Sequence, residues 1–373
     1  MLEELLNPYH PLFWVVILVI IGVVFWLLLR PFLTTMRFVY PTAKYEAMGN
    51  PYVKVHNLRS LLDGKNLEGF KETLNAQKDY HIDGETLEEV HHHLDALFYQ
   101  TVTMMQQDSS KSMQEFYHKY IQKHELYHIK TAVKNILTDT IKDIPEYTML
   151  SEETQQLLKS LHEVSKEDLP EFMKHHDFPD ELVEELRNDE PDLTMINMLF
   201  DQYFLTTLDN VSVPYKCGQV KDEFIKRSID MISIKQLLRA KQLNLPKDTI
   251  LEMFLGEGKE LASWKYHDLS EAESVSQVIS GLEGTSYYPL LKEKFEYYSK
   301  DNSVQILENA IDRQFLHHIR DISIKNYSTM GPSLRFLVSK EYELRNLKII
   351  AKGIAEQLDA NLITPWLVTE EDD

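Results

Sequence analysis

The chain has a single cysteine, Cys217, in 373 residues, so no intramolecular disulfide can form. That usage suits a reducing cytoplasm. Glycine and proline are sparse, at 12 and 14 residues, and no stretch of convincing length alternates apolar and polar residues as a half-buried strand would. Val211 and Val213 come nearest and are too short. Together with abundant Leu, Glu, Lys, Met and Gln, these absences predict an all-α fold. Bases are outnumbered, 39 Lys and Arg against 59 Asp and Glu, for a net charge of -20. This argues against a general nucleic-acid binder and points to a solvated acidic surface or a basic partner. There is no phosphate-cradling loop, because Gly256 and Gly258 lack a following Lys-Ser or Lys-Thr pair. Sequence order offers no Ser-His-Asp or Cys-His arrangement.

What is present is a repeat. Near the end of the chain, Glu343 is followed by Leu344, Leu347, Lys348 and Lys352. The same pattern occurs at Glu125 (Leu126, Ile129, Lys130, Lys134) and at Asp230 (Met231, Ile234, Lys235, Arg239). Each copy is preceded by an Asp with Phe three residues later: Asp95 and Phe98, Asp201 and Phe204, Asp312 and Phe315. From that Asp to the acid of the later element is 30, 29 and 31 residues. One helical unit used three times, with a period a little over a hundred residues, accounts for this. In the later element the apolar positions fall on one helical stripe and the two bases lie one turn apart on the other side. The acid projects inside the stripe, where an unpaired carboxylate is costly, so Glu125, Asp230 and Glu343 are expected to be paired, the alternative being a helix start still in contact with water.

Residues 12–29 carry no charged or strongly polar side chain, and Trp14 and Trp26 stand near the two ends. The length suits a membrane-crossing helix and exceeds an ordinary signal-peptide core. A signal peptide would want a basic start and a small-residue cleavage site, whereas Glu3 and Glu4 precede the run and Arg30 and Pro31 follow it. The reading is an uncleaved anchor in the lipid bilayer, and Arg30, Arg37 and Lys44 after it put the bulk of the chain on the cytoplasmic side. The expected organisation is an anchor (1–35) and three helical units (36–148, 149–257 and 258–373). A Tyr- and Pro-bearing connector, Tyr40 to Tyr52, is expected before the first unit. Breaks are expected at Pro145, Pro246 and Gly331–Pro332, and a frayed acidic tail from Glu370 to Asp373.

His124, Glu125, Leu126, Tyr127 and His128 have the His-Glu-x-x-His form of zinc metalloproteases, in which two imidazoles one turn apart hold a metal and the glutamate polarises its water. Against this reading, fifteen histidines make such a pair easy to obtain, Glu125 is already the repeat acid, and the other two copies have Ile229 and Ser233, and Tyr342 and Asn346, at the histidine positions. His91, His92 and His93 point in three directions on a helix and read as surface residues, as do His317 and His318. No catalytic, metal or cofactor site is assigned.

From Lys340 to Ile350 the chain carries Lys340, Glu341, Glu343, Asn346, Leu347, Lys348 and Ile350. This run, with the triplication, resembles the C subunit of archaeal A-type (V-type) ATP synthases, a family related to the d subunit of vacuolar ATPases. The resemblance spans about residues 40–367. It departs from the family at the front, where Tyr40 to Tyr52 keeps only Lys44 of a run of bases. The resemblance implies three similar helical bundles arranged as a funnel, seated on the proteolipid ring of the membrane rotor and receiving the foot of the central shaft among the other ATP synthase subunits. It implies no catalysis and no cofactor. A membrane-tethered α-solenoid scaffold is the alternative, but its repeats would be shorter and stacked in a line.

Overall fold

In the computed structural model, which describes residues 9–64, 66–140 and 150–370, the described residues form seventeen α-helices and two 3-10 turns with no strand. The helix α1 (Pro11–Met48) opens the described chain. The 3-10 turn Pro51–Val53 leads to α2 (Val55–Leu62), α3 (Leu67–Asn75) and two long helices, α4 (Leu87–Asp108) and α5 (Lys111–Leu137). The middle of the chain gives α6 (Glu152–Leu161), α7 (Leu169–His175) and α8 (Asp180–Leu186), then the long helices α9 (Leu193–Asp209) and α10 (Cys217–Gln242). The last part gives α11 (Lys247–Glu252), α12 (Ser263–Ser270), α13 (Val275–Gly281) and α14 (Tyr288–Asp301), then α15 (Gln305–Lys325) and α16 (Gly331–Ala355). The short α17 (Ala360–Ile363) and the turn Thr364–Trp366 follow.

Local chemistry sets these boundaries. Thr86 and Glu89 form a capping box that satisfies the first amides of α4. Pro332 occupies the first turn of α16, where its missing N–H costs nothing, so Gly331 and Pro332 open this helix. Gly331 is required there, because a Cβ would lie 3.0 Å from the backbone of Ser323 where α15 turns into α16.

The six long helices pack as a closed ring in the order α4, α5, α9, α10, α15, α16, with α16 returning onto α4. Each of α5, α10 and α16 also packs on the short helices or turn that begin the following third of the chain: α5 on α6, α10 on α13, and α16 on the 3-10 turn, α2 and α3. A linear solenoid would have left α16 and α4 at opposite ends. The buried side chains follow the same plan. One core runs through most of the ring, and a second gathers Ile234, Leu237 and Leu238 of α10 with Leu269, Val278, Leu282 and Leu291 of the following helices.

The connector expected from Tyr40 to Tyr52 is α-helical as far as Met48. Residues 31–48 continue α1 through Pro31 and Pro41, with Thr34 and Thr35 hydroxyls donating to the carbonyls of Arg30 and Pro31, both at 3.2 Å. Tertiary contacts override the prolines. Phe38, Pro41, Thr42 and Tyr45 are buried, and Tyr45 stacks on Phe336 of α16 with ring centroids 4.9 Å apart. By contrast the apolar stretch before it is bare: α1 is long and apolar enough to cross a membrane, and none of its 18-residue apolar window is buried.

Glu370, expected in the frayed tail, is held in the fold. Glu370 is 6% exposed, accepts from Ser339 and Arg335, and donates its N–H to Val53 O. Burial would raise its carboxyl, yet Arg335 and Ser339 hold it below the ordinary range. The remaining tail residues, the break at Pro145, and Glu3 and Glu4 lie outside the described residues.

Candidate interface on the ring axis

The repeat residues occupy matching places in the ring. Phe98, Phe204 and Phe315 are all buried. The three lysines five residues after the repeat acids each reach the Asp of the next unit: Lys130 to Asp201 at 3.4 Å, Lys235 to Asp312, and Lys348 back to Asp95 at 2.5 Å. One contact therefore occurs three times and closes on itself.

The repeat acids follow the same rule. Glu125 Oε1 accepts from Ser151 N at 3.0 Å. Asp230 accepts from the amides of Glu260 and Leu261, at 3.0 and 2.9 Å. Glu343 accepts from Tyr52 N at 2.9 Å and Tyr80 OH at 2.5 Å and pairs with Lys340 at 2.7 Å. Each acid thus satisfies backbone donors where the following third of the chain begins. Such pairing is what a buried carboxylate needs. Gly258 serves this joint: a Cβ there would lie 1.9 Å from Asp230 Oδ1. Burial outweighs the two amides and lifts the Asp230 carboxyl to about 6.

The second bases do not repeat. Arg239 makes a two-pronged contact with Glu308, at 2.6 Å through its Nη2. At the matching positions the chain has His91 and Asn197, so Lys134 and Lys352 meet no acid there. Lys352 instead lies 3.8 Å from Glu356, and burial lowers the Lys134 amine.

Asp312 is held by two cations. It is 0% exposed and holds Lys235, Arg345 at 2.6 Å and Tyr342 OH at 2.8 Å. Burial alone would raise its carboxyl, but Lys235 and Arg345 keep it below the ordinary value.

Inside the ring, α5, α10 and α16 line two adjoining cavities. The smaller one, of about 250 Å³, is walled by Tyr120, Phe204, Phe224, Ser228, Phe315 and Val338 among others. The other, about 510 Å³, is open to solvent and lies further toward the C-termini of these helices, among His124, His128, Met231, Lys235, Arg345 and Lys348. Between them Glu341 accepts from Lys123 Nζ and Tyr120 OH, each at 2.5 Å, joining α5 to α16 across the middle. Lys123, Ser228 and Glu341 all stand two residues before a repeat acid. Reading the repeat from its acid onward misses this trio, although aligning the copies column by column shows opposite charges at one position.

The geometry does not favour the metal reading of His124 to His128. Glu125 turns away into its bond with Ser151. His124 packs on Phe98, ring centroids 4.4 Å apart, and burial lowers its imidazole to about 4. No cluster of three potential metal ligands occurs among the described residues. Nor is the His317–His318 pair all surface: His318 is buried against Tyr287, with Nε2 2.9 Å from the Ser286 hydroxyl, because α14 covers this face of α15. His91 is half-buried, 3.2 Å from Lys348 O, while His92 and His93 are exposed.

At the other end of the ring, α1 meets each third of the chain. The Arg30 guanidinium lies 4.1 Å over the Tyr215 ring, just before α10. Lys44 pairs with Asp108 at the end of α4 at 2.6 Å, and Tyr45 stacks on α16 as described above. Trp14 and Trp26 stand exposed on the bare stretch.

A family model described as ATP synthase (C/AC39) subunit matches residues 41–365. The chain is similar to the C subunit of the A-type ATP synthase of Methanothermobacter thermautotrophicus, 26% identical over 88% of this chain and 86% of the relative. It is 31% identical to that of Methanocaldococcus jannaschii over 66% of this chain and 58% of the relative. With the corresponding protein of Methanosphaera stadtmanae it shares 23% identity over 91% of this chain and 90% of the relative. Since the family model runs through the whole ring of long helices, the chain belongs to the C/AC39 subunit family of ATP synthases.

Proposed function

We propose that the chain is a non-catalytic coupling subunit of a rotary A-type/V-type ATP synthase, joining the membrane rotor ring to the rotating shaft so that ion flow and ATP turnover drive one another. The observation that carries this is the axial arrangement. An open cavity walled by all three units lies toward one end, and an apolar helix rooted in all three units leaves the other. The cavity receives the foot of the shaft, and the opposite end sits on the proteolipid ring at the membrane, with the bulk of the chain on the cytoplasmic side. A part that transmits torque must resist shear between its units, and inter-unit ion pairs recurring around the closed ring provide directional, charge-assisted contacts for that. Tyr120 of α5 lies with its ring centroid 6.3 Å from that of Phe224 of α10 and donates to Glu341 of α16, and this approach of the three helices on the N-terminal side of the open cavity supports a funnel that widens toward it. The same contacts support three units near 36–148, 149–257 and 258–373.

Filling the cavity tests the reading. Met231→Trp and Ile349→Trp place bulk on its wall. In the complex from native membranes, with helix content unchanged, ATP-driven ion uptake into vesicles is expected to fall at least tenfold while hydrolysis by the head continues and shaft subunits are lost on purification. Undiminished ion uptake with the shaft retained in both variants would refute it.

A further inference from the structure

The apolar helix carries an inference that rests on the coupling role. A helix tethered by a flexible linker could sit anywhere beside the ring, but α1 has no linker: the bare stretch ends at Arg30 and the buried stretch starts at Thr34 within one unbroken helix. Its position is therefore fixed by where the buried half docks. That half touches the end of α4 through Lys44 and Tyr45, whose hydroxyl lies 3.5 Å from Met105 O. It touches α16 through Tyr45 on Phe336, and one turn before it Arg30 lies over Tyr215 in the turn before α10. An element that contacts every third of the closed ring at one end lies over its axis and not on its rim.

The bare stretch is apolar around its whole circumference, with Leu18, Val19, Phe25, Leu27 and Leu28 all exposed, so it has no polar face to turn toward water. Its 18 apolar residues extend about 27 Å, close to the thickness of a bilayer's hydrocarbon core. A rigid helix held off-axis would sweep a circle as the body turned and strike whatever membrane protein stands still beside the ring. A helix on the axis turns in place.

We propose that residues 12–29 occupy the bore of the proteolipid ring, coaxial with it, as a spindle built into the coupling subunit. The partner surface is the apolar inner wall of the ring, and Arg30 marks the level at which the helix leaves the hydrocarbon.

The test is electron-microscopic imaging of the intact complex from native membranes, with photo-crosslinking from p-benzoylphenylalanine at Val16 or Val23. The expected result is one helical density on the ring axis, continuous with the body, and crosslinks to ring subunits but none to the stationary membrane subunit. With the body seated on the ring, helical density outside the ring, a bore without helical density, or crosslinks to the stationary subunit would overturn the coaxial placement and leave the coupling role standing. A body found away from the ring would overturn the coupling role itself.

Discussion

The three Lys–Asp joints are chemically alike but differ in burial, so the same substitution should have graded effects. Asp312→Asn removes the charge shared by Lys235 and Arg345, at a site where Asp312 is 0% exposed. Two cations are left facing each other without compensation, which costs about 3–5 kcal/mol. At Asp95 the partner Lys348 is 2.5 Å away and both side chains are 30% exposed, so Asp95→Asn should cost about 1 kcal/mol. At Asp201 the contact is longer, 3.4 Å, with the acid 37% exposed, and the cost should be about 0.5 kcal/mol or less. Urea unfolding of the full chain in detergent, followed by circular dichroism, gives the three differences from the midpoints at a common slope. The Asp312 effect also has a pH signature. Its folded carboxyl titrates below the ordinary 3.8, so its contribution is complete above that pH and disappears as the pH falls through the folded value. Equal costs at the three sites, or an Asp312→Asn cost within about 1 kcal/mol of that of Asp201→Asn, would refute the idea that burial sets the strength of each joint.

Asp230 has the opposite sign. Its carboxyl titrates near 6 in the fold against 3.8 for a free one, so the native state binds more protons between these values and loses about 3 kcal/mol as the pH rises through them. Asp230→Asn lacks this loss, so its stability relative to the parent chain should improve by roughly that amount as the pH is raised from the free value to above the folded one, and an unchanged difference would count against it. Gly258→Ala must displace a carboxylate held by two amides and should cost about 1–3 kcal/mol, whereas Gly256→Ala meets nothing within 4 Å and carries only the strain of its φ of 108°. Equal melting temperatures for the parent chain and Gly258→Ala would contradict the close approach. Dialysis against a chelator should leave the melting temperature unaltered, and a fall restored by zinc would reinstate a metal at His124 and His128.

The all-α class and the exposed apolar helix are legible because both are written in composition and in runs of single-residue character. The repeat is legible because its acids, lysines and phenylalanines recur at fixed spacing. Which unit each side chain touches is not legible. Periodicity places Lys130 and Asp201 on helical faces, but only the packing of α5 against α9 brings them together, and nothing local says that Lys348 must return to Asp95. The stretch from Tyr40 departs from expectation for a related reason. Pro31 and Pro41 argue for a break, and burial of Phe38, Thr42 and Tyr45 against the ring overrides them. Acidic neighbours place Glu370 in a solvated tail, while the residue that decides its position, Arg335, lies 35 positions earlier.

A pattern written three times into one chain also permits something that three identical subunits could not achieve. At one height inside the ring the three copies carry Lys123, Ser228 and Glu341, and the first and last are joined to each other while the Ser228 hydroxyl turns back to Phe224 O. Identical subunits would place one residue type at all three points, and no acid–base crosspiece could form among them. The ring is therefore braced across one side and not the others, a directional stiffness that strict threefold symmetry forbids.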